Sequence, residues 1–429
     1  MVRSKAGNVP QEATSPTSTS KYESTEETQT NMDSRLRAKQ LTENNPKITN
    51  AFRLMAGSKK KVRQAEEEEK EKLKQLRLHR PRSRELLDSD EEDYDYDSDQ
   101  EPAIPSKDPV TYFKQNRKSE ALDLTGCPVG PVNISAIVRK LFPSMFVTRL
   151  VLSNTCLGNE GARLVAKGLV KNTCVKELDL SRNNLQKACM SAVGELIELN
   201  DSLEILNLSG NSLTDEAIEP LMSSILLKCR LAELNLSHNI LCDEFASSMG
   251  QVLLTNRNLT RLLLNSNHLE VSGLIAMANG LQKTRTLKFL DVSWNYIHDV
   301  GAKALSDIVS ANKALEELVI CGNFISKEGA AQIGQSLRKN KTLRVLRIGK
   351  NLLRNEGAYS ILHGLMRSSH SGLEVVDLDG TLVDPHFTTE WNKELHDRFP
   401  DLKPVNFVVE FCEENAGSNT QHLATAIKA

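Results

Sequence analysis

Nine histidines and eight cysteines are the residues with which this chain of 429 could ligate a metal or activate a nucleophile. Their spacing supports neither. No CxxC pair occurs, no His stands at zinc spacing, and GxxxxGK[ST], HExxH and GxSxG are all absent, so the sequence offers no catalytic, cofactor or metal residue. What remains is one modification and non-covalent recognition. Ser89 and Ser98 each precede an acid by three residues within Asp88–Glu101, where nine of fourteen residues are acidic. Such sites resemble those of acidophilic kinases of the casein kinase 2 type. A phosphate there would deepen a negative run able to associate with a basic surface, including the chain's own 59–84 segment, unless the run is a plain solubilising spacer. The recognition candidates are an apolar group, Leu263, Phe289, Trp294 and Val319 with Asp291 among them, and the cations Arg344, Arg347 and Lys350. These residues meet only if the fold sets residues about one repeat apart side by side.

The stretch Leu203–Cys229 shows how that happens. Leu206 and Leu208 alternate with Asn207 and Ser209, predicting a short strand with one apolar face. Asn211 and Leu213 turn the chain inward. Thr214 is a cap residue, Asp215 and Glu216 suit a first helical turn, and Ile218, Leu221, Met222 and Ile225 recur at helical spacing. The same unit starts at Ser119, Val147, Val175, Leu203, Leu231, Leu259, Leu287, Leu315, Leu343 and Leu373, ten starts separated by 28 residues except for a last step of 30. One unit cannot bury both its faces alone, so the pattern predicts a stacked strand–helix solenoid. An asparagine recurs at Asn183, Asn211, Asn239, Asn267, Asn295, Asn323 and Asn351, where it can bond the backbone of neighbouring turns. A second column, Gly161, Cys189, Ala217, Phe245, Gly273, Gly301, Gly329 and Gly357, is mostly small, as a close approach of helix start to strand requires. Pro220 predicts that the helix of the fourth unit starts late or kinks.

Outside the array the composition changes. Residues 1–108 are polar, then densely charged, and lack the apolar content to offset the entropy of ordering, so they are expected to be disordered, with a transient charged helix over 58–84. Basic clusters at Lys59–Arg63 and Arg77–Arg84 are of a kind common by chance, and no nucleic-acid partner is expected. Residues 109–118, with Val110, Tyr112 and Phe113, should cap the solenoid over 119–400, and a segment around Trp391–Phe399 should close it. Residues 401–429 are predicted to be a tail, frayed from about Glu413. The net charge of −2 is the sum of opposed blocks. No apolar run approaches the roughly 18 residues that cross a bilayer, and the opening residues lack a secretory signal. The cytoplasm or nucleus is therefore expected, with the cysteines reduced as small core residues.

Written LxxLxLxxNxLxxxGAxxL, as in Leu287–Leu305, the repeat resembles that of leucine-rich repeat proteins of the ribonuclease-inhibitor subfamily. The resemblance implies an α/β fold, a right-handed horseshoe with a parallel sheet on its concave side and helices outside. It also implies protein binding at the sheet. On that face Leu263, Asp291, Val319 and Arg347 fall in one column and Phe289 and Trp294 in others. Aromatic residues so exposed are enriched among binding hot spots, although Trp294 could equally lie flat over the adjacent turn. The three cations suit an acidic partner segment or form a solvated basic edge. The sequence thus favours a non-enzymatic adaptor. A component of cytoskeletal or axonemal filaments, or an activator of a small GTPase, as in a related horseshoe family, are the alternatives.

Overall fold

The computed structural model describes residues 108–116, 118–141, 146–368 and 372–391, with two strand fragments at 408–409 and 424–425. All lie within the unit Glu92–Ala429. The 58–84 segment, Ser89 and Ser98 lie outside the described residues.

A helix, α1 (Pro109–Asn116), precedes the array, with Phe113 buried and Val110 and Tyr112 partly buried against the core. Strands and helices then alternate: β1 (Ala121–Asp123), α2 (Gly130–Leu141), β2 (Arg149–Val151), α3 (Gly158–Leu169), β3 (Glu177–Asp179), α4 (Lys187–Leu199), β4 (Ile205–Asn207), α5 (Asp215–Leu227), β5 (Glu233–Asn235) and α6 (Asp243–Thr255). They continue with β6 (Arg261–Leu263), α7 (Val271–Lys283), β7 (Phe289–Asp291), α8 (His298–Ala311), β8 (Glu317–Val319), α9 (Lys327–Leu337), β9 (Val345–Arg347), α10 (Arg354–Met366) and β10 (Val375–Asp377). The ten strands form one parallel sheet in chain order. Leu178 lies opposite Leu206, and Leu206 opposite Leu234, so each strand meets its copy one repeat on. The central residue of every strand, from Leu122 to Val376, is at most 1% exposed. Its two neighbours in the strand face away from the core. Strands stack about 4.8 Å apart and helices about 9 Å apart, so stacking the two layers bends the solenoid with the sheet inside.

The asparagine column does what its position predicts. Asn211 is buried, donates from Nδ2 to the carbonyls of Leu180 (3.1 Å), Leu208 (2.9 Å) and Ser209 (3.3 Å), and accepts at Oδ1 from the amides of Asn183 (2.8 Å) and Leu185 (3.2 Å). One side chain thus satisfies the turn of its own unit and that of the unit before, groups that would otherwise be buried unpaired. Thr155 takes the place in the second unit, its hydroxyl donating to the Leu152 carbonyl.

Two further ladders are visible only in the structure. Asn172, Asn200, Asn312 and Asn340 sit where helices end; Asn200 donates to the Leu169 and Asn172 carbonyls of the preceding unit and accepts from the Ser202 and Leu203 amides. At the helix starts an aspartate caps the helix of the next unit: Asp215 accepts from the Cys242, Glu244 and Phe245 amides, and Asp299 from those of Ser326 and Gly329. Anions there also complement the helix dipole. This capping refines the reason for the small-residue column. A Cβ on Gly329 would lie 2.5 Å from Asp299 Oδ1 and 2.6 Å from Ile325, so the crowding comes from the preceding unit's cap and the inward residue of the same turn.

Three expectations are corrected. Helix α5 starts in register at Asp215, capped by Thr214 Oγ1, which accepts from the Ala217 amide, with Pro220 inside it. The helix loses one backbone bond there without being delayed. The C-terminal residues are not all frayed: β11 (Leu382–Val383) pairs in parallel with β12 (Val408–Val409), which pairs antiparallel with β13 (Ala424–Thr425). Between β11 and β12 comes α11 (Pro385–Glu390), which with Trp391 buries Phe387 and Trp391 against the last unit. The seven cysteines among the described residues are free, but of these only Cys127, Cys189 and Cys229 are buried; Cys156 and Cys242 are exposed in the turns between strand and helix, and Cys412 lies outside the described residues. Among the described residues no helix is long and apolar enough to cross a membrane.

Candidate functional site

The sheet brings most of the predicted site residues into two adjoining columns. In one, Leu263 lies opposite Asp291, Asp291 opposite Val319, and Val319 opposite Arg347. Asp291 is therefore flanked by apolar side chains on both sides, and burial pushes its carboxyl above the ordinary carboxylate range, with Glu317 adding to the rise. Hydrogen bonds from the Ser293 amide (2.9 Å) and hydroxyl (2.6 Å) oppose that shift. Val319 is itself only 8% exposed, so it supports the face from below and offers a partner little surface. In the other column Arg261 lies opposite Phe289, and Phe289 opposite Glu317. The Arg261 guanidinium carbon stands 3.9 Å from the centre of the Phe289 ring while its Nε donates to Glu233 at 2.8 Å. The half-buried ring is held in a cation–π contact.

Trp294 leaves the end of β7 with φ +54 and is 44% exposed. Its column adopts the left-handed conformation in every unit from Gly126 to Gly380, and glycine fills it in the first, fourth, eighth and tenth. An L-residue held there costs roughly 1–2 kcal/mol. The ring lies over Gly322 of the next unit, where a Cβ would come within 2.6 Å of its Cδ2 and Cε3 atoms. The indole thus packs one face on the adjacent turn and leaves the other outward.

The three cations of the ninth unit each stand beside a carboxylate. Arg344 Nε donates to Glu374 at 2.7 Å, Arg347 pairs with Glu317 at 3.2 Å and Asp377 at 3.9 Å, and Lys350 with Asp379 at 3.6 Å. Each faces a carboxylate of its own sheet. In the fifth unit, burial and Arg182 hold the His238 imidazole below its usual range, against an opposing pull from Asp291.

The sequence reading missed the surface next to Trp294. The residue after each ladder asparagine is Ile240, His268, Tyr296, Phe324 and Leu352 in the fifth to ninth units, all exposed, Leu352 at 58%. Tyr296 stacks on Phe324 with centroids 6.0 Å apart and planes 12° apart, His268 lies 6.0 Å from Tyr296, and His298 stacks on Phe324 at 5.3 Å. Trp294, Tyr296, Phe324, Lys350 and Leu352 line a shallow cleft of about 230 Å³. The signal was present: one column, apolar or aromatic, at a fixed 28-residue interval.

Leucine-rich repeat models match residues 144–166, 171–193, 199–222, 255–278, 283–306 and 339–362. The chain carries leucine-rich repeats. The matched segments lie within the ten-unit array, each running from the approach to a strand into the following helix. Among solved structures, an internalin, InlF, of Listeria monocytogenes is similar over 68% of this chain and 82% of its own length, at 16% identity and a TM-score of 0.40. Leucine-rich repeats commonly mediate protein–protein interaction through the extended surfaces that stacking creates. Within these repeats, no three His, Cys, Asp or Glu side chains among the described residues could hold a metal. Burial pushes the thiol of Cys189 up to about 11 and that of Cys321 up to about 12, far from reactive thiolates.

Proposed function

We propose that this chain is a non-enzymatic protein-binding scaffold whose partner sits on the sheet of the sixth to ninth repeats and on the aromatic edge beside it. Trp294 is the observation that carries this. A half-exposed indole stands in a left-handed column that glycine fills in four of ten units, and it is the largest side chain of that column. Aromatic residues so exposed are enriched among binding hot spots. Phe289, pinned by Arg261, is the second anchor, and Leu263, Asp291 and Val319 form the floor between them. Arg344, Arg347 and Lys350 border the site as members of ion pairs that a partner's acids would have to displace. The partner is a protein, with no nucleic acid or membrane expected, and the setting is the cytoplasm, its cytoskeleton or cilium, or the nucleus. The finer kinship belongs to the same proposal: the repeat formula fits the ribonuclease-inhibitor subfamily, and the Pro109–Phe113 run ahead of the array, with the repeat layout, resembles leucine-rich repeat-containing protein 74. Affinity capture with full-length wild type and with Phe289→Ala, Trp294→Ala tests the site. Partners lost only from the folded double variant support it, and an unchanged partner set overturns it.

A further inference from the structure

The opposite edge of the solenoid, where helices return to strands, carries a charge pattern that the ion pairs of the sheet do not absorb. Two residues before the start of the sixth to ninth units stand Arg257, Arg285, Lys313 and Lys341, one column of four cations, all exposed. None of the four makes an ion pair among the described residues. An open cleft of about 560 Å³ is lined by Arg285, Lys313 and Lys341 together with Lys288 and Arg344. Lys288 and Arg344 are neutralised, by Glu316 at 2.9 Å and by Glu374; the column is not. Cations near helix C-termini do complement the helix dipole. That need does not explain these, because helices α3, α4 and α5 end at the same edge and are followed in this column by Thr173, Asp201 and Cys229.

We infer that this edge binds an acidic polypeptide segment in extended form, laid across the sixth to ninth units. Strands stack about 4.8 Å apart and helices about 9 Å apart, so a column at the turns between them has an intermediate spacing. An extended chain presents side chains on one side every ~6.6 Å, which falls in that interval. Glu316 and Glu374 border the column, and Glu317, Asp291 and Asp377 follow on the sheet. A broad anionic surface, such as a bilayer or a nucleic-acid duplex, would press against those carboxylates, whereas a single strand of acidic side chains meets the cations alone. The cation column adjoins the sheet site only through Arg344, which borders both, and the inference does not depend on that site.

The test uses the full chain and a fluorescein-labelled decaglutamate peptide, read by anisotropy at an ionic strength of about 0.15 M, where the screening length is about 8 Å. Wild type binds, and the variant Arg285→Glu, Lys313→Glu, Lys341→Glu, altered only at exposed side chains, binds at least about tenfold more weakly with an unchanged melting curve. A control with the same change in net charge, Arg163→Glu, Lys187→Glu, Lys303→Glu, binds like wild type. Equal weakening in the control would show a mere net-charge effect and overturn the site. A further variant with the acids of 88–101 amidated to Asn and Gln removes that run as a competitor; no binding by either this chain or wild type overturns the site as well. Phosphatidylserine vesicles or oligouridylate, bound more tightly than the peptide and lost in the same triple variant, would reassign the edge and overturn the peptide.

Discussion

The third and fourth repeats and the fifth to ninth share an interior and differ outside. Asn183 and Asn211 hold the turns of one group as Asn267 and Asn323 hold those of the other, and the strand leucines are equally buried throughout. On the surface the column after the asparagine changes from Asn184 and Ser212 to Ile240, His268, Tyr296, Phe324 and Leu352. The column before the strand is Thr173 and Asp201 in the third and fourth repeats, Cys229 in the fifth, and a cation in each of the sixth to ninth. Since backbone and core are repeated, folding does not require either change. What varies over a constant scaffold is where recognition is to be sought.

The largest expected effect lies in the interior that both groups of repeats share. Asn211→Ala and Asn323→Ala each leave several buried carbonyls and at least one amide without a partner, and each is expected to cost about 3 kcal/mol in urea unfolding. The two costs should agree; a site in one region that tolerates alanine would show that the interior is not uniform. A smaller effect separates the regions. Gly210→Ala and Gly322→Ala both place a side chain at positive φ, with a cost of roughly 1–2 kcal/mol. At Gly210 the new Cβ meets the flexible Arg182 side chain at 3.0 Å, whereas at Gly322 it enters the Trp294 ring. Gly322→Ala should therefore be the costlier of the two and should raise the quenching of Trp294 by iodide, since Trp391, the chain's other tryptophan, is buried.

The smallest effect is electrostatic. The Asp291 carboxyl is raised in the folded chain, so the stability associated with it is complete below the ordinary carboxylate value of about 3.9 and is lost as pH rises through the raised folded value. Asp291→Asn keeps an acceptor for Ser293 and carries no charge. Its melting temperature should match wild type near pH 3.5 and exceed it slightly at pH 7. A variant less stable than wild type at pH 7 would show that the Ser293 bonds, which favour the charged form, outweigh burial.

The repeat itself was legible because each unit solves one burial problem in the same way, so Leu206, Asn211 and Ile218 recur with their neighbours on every turn. The face was legible too: alternation along a strand places Phe289 and Asp291 outward once Leu290 is inward. Ion pairing was not. Arg347 meets Glu317 and Asp377 only because strands stack in register, and a single strand read alone shows a cation without its acids. The aromatic edge was hidden for another reason. Tyr296 and Phe324 lie in a turn, where neither strand nor helix period selects them, and only reading down the columns brings them together.

The central claim is that the exposed surface of the later repeats, and not that of the earlier ones, takes the partner. It is tested most directly by quantitative capture from one extract with three full-length baits: wild type, Trp294→Ala with Tyr296→Ser, and the matched pair Arg182→Ala with Asn184→Ser in the third repeat. The expected result is a partner retained by wild type and the third-repeat variant and lost by the seventh-repeat variant, with all three baits melting alike. Loss from the third-repeat variant, or retention by all three, would contradict it.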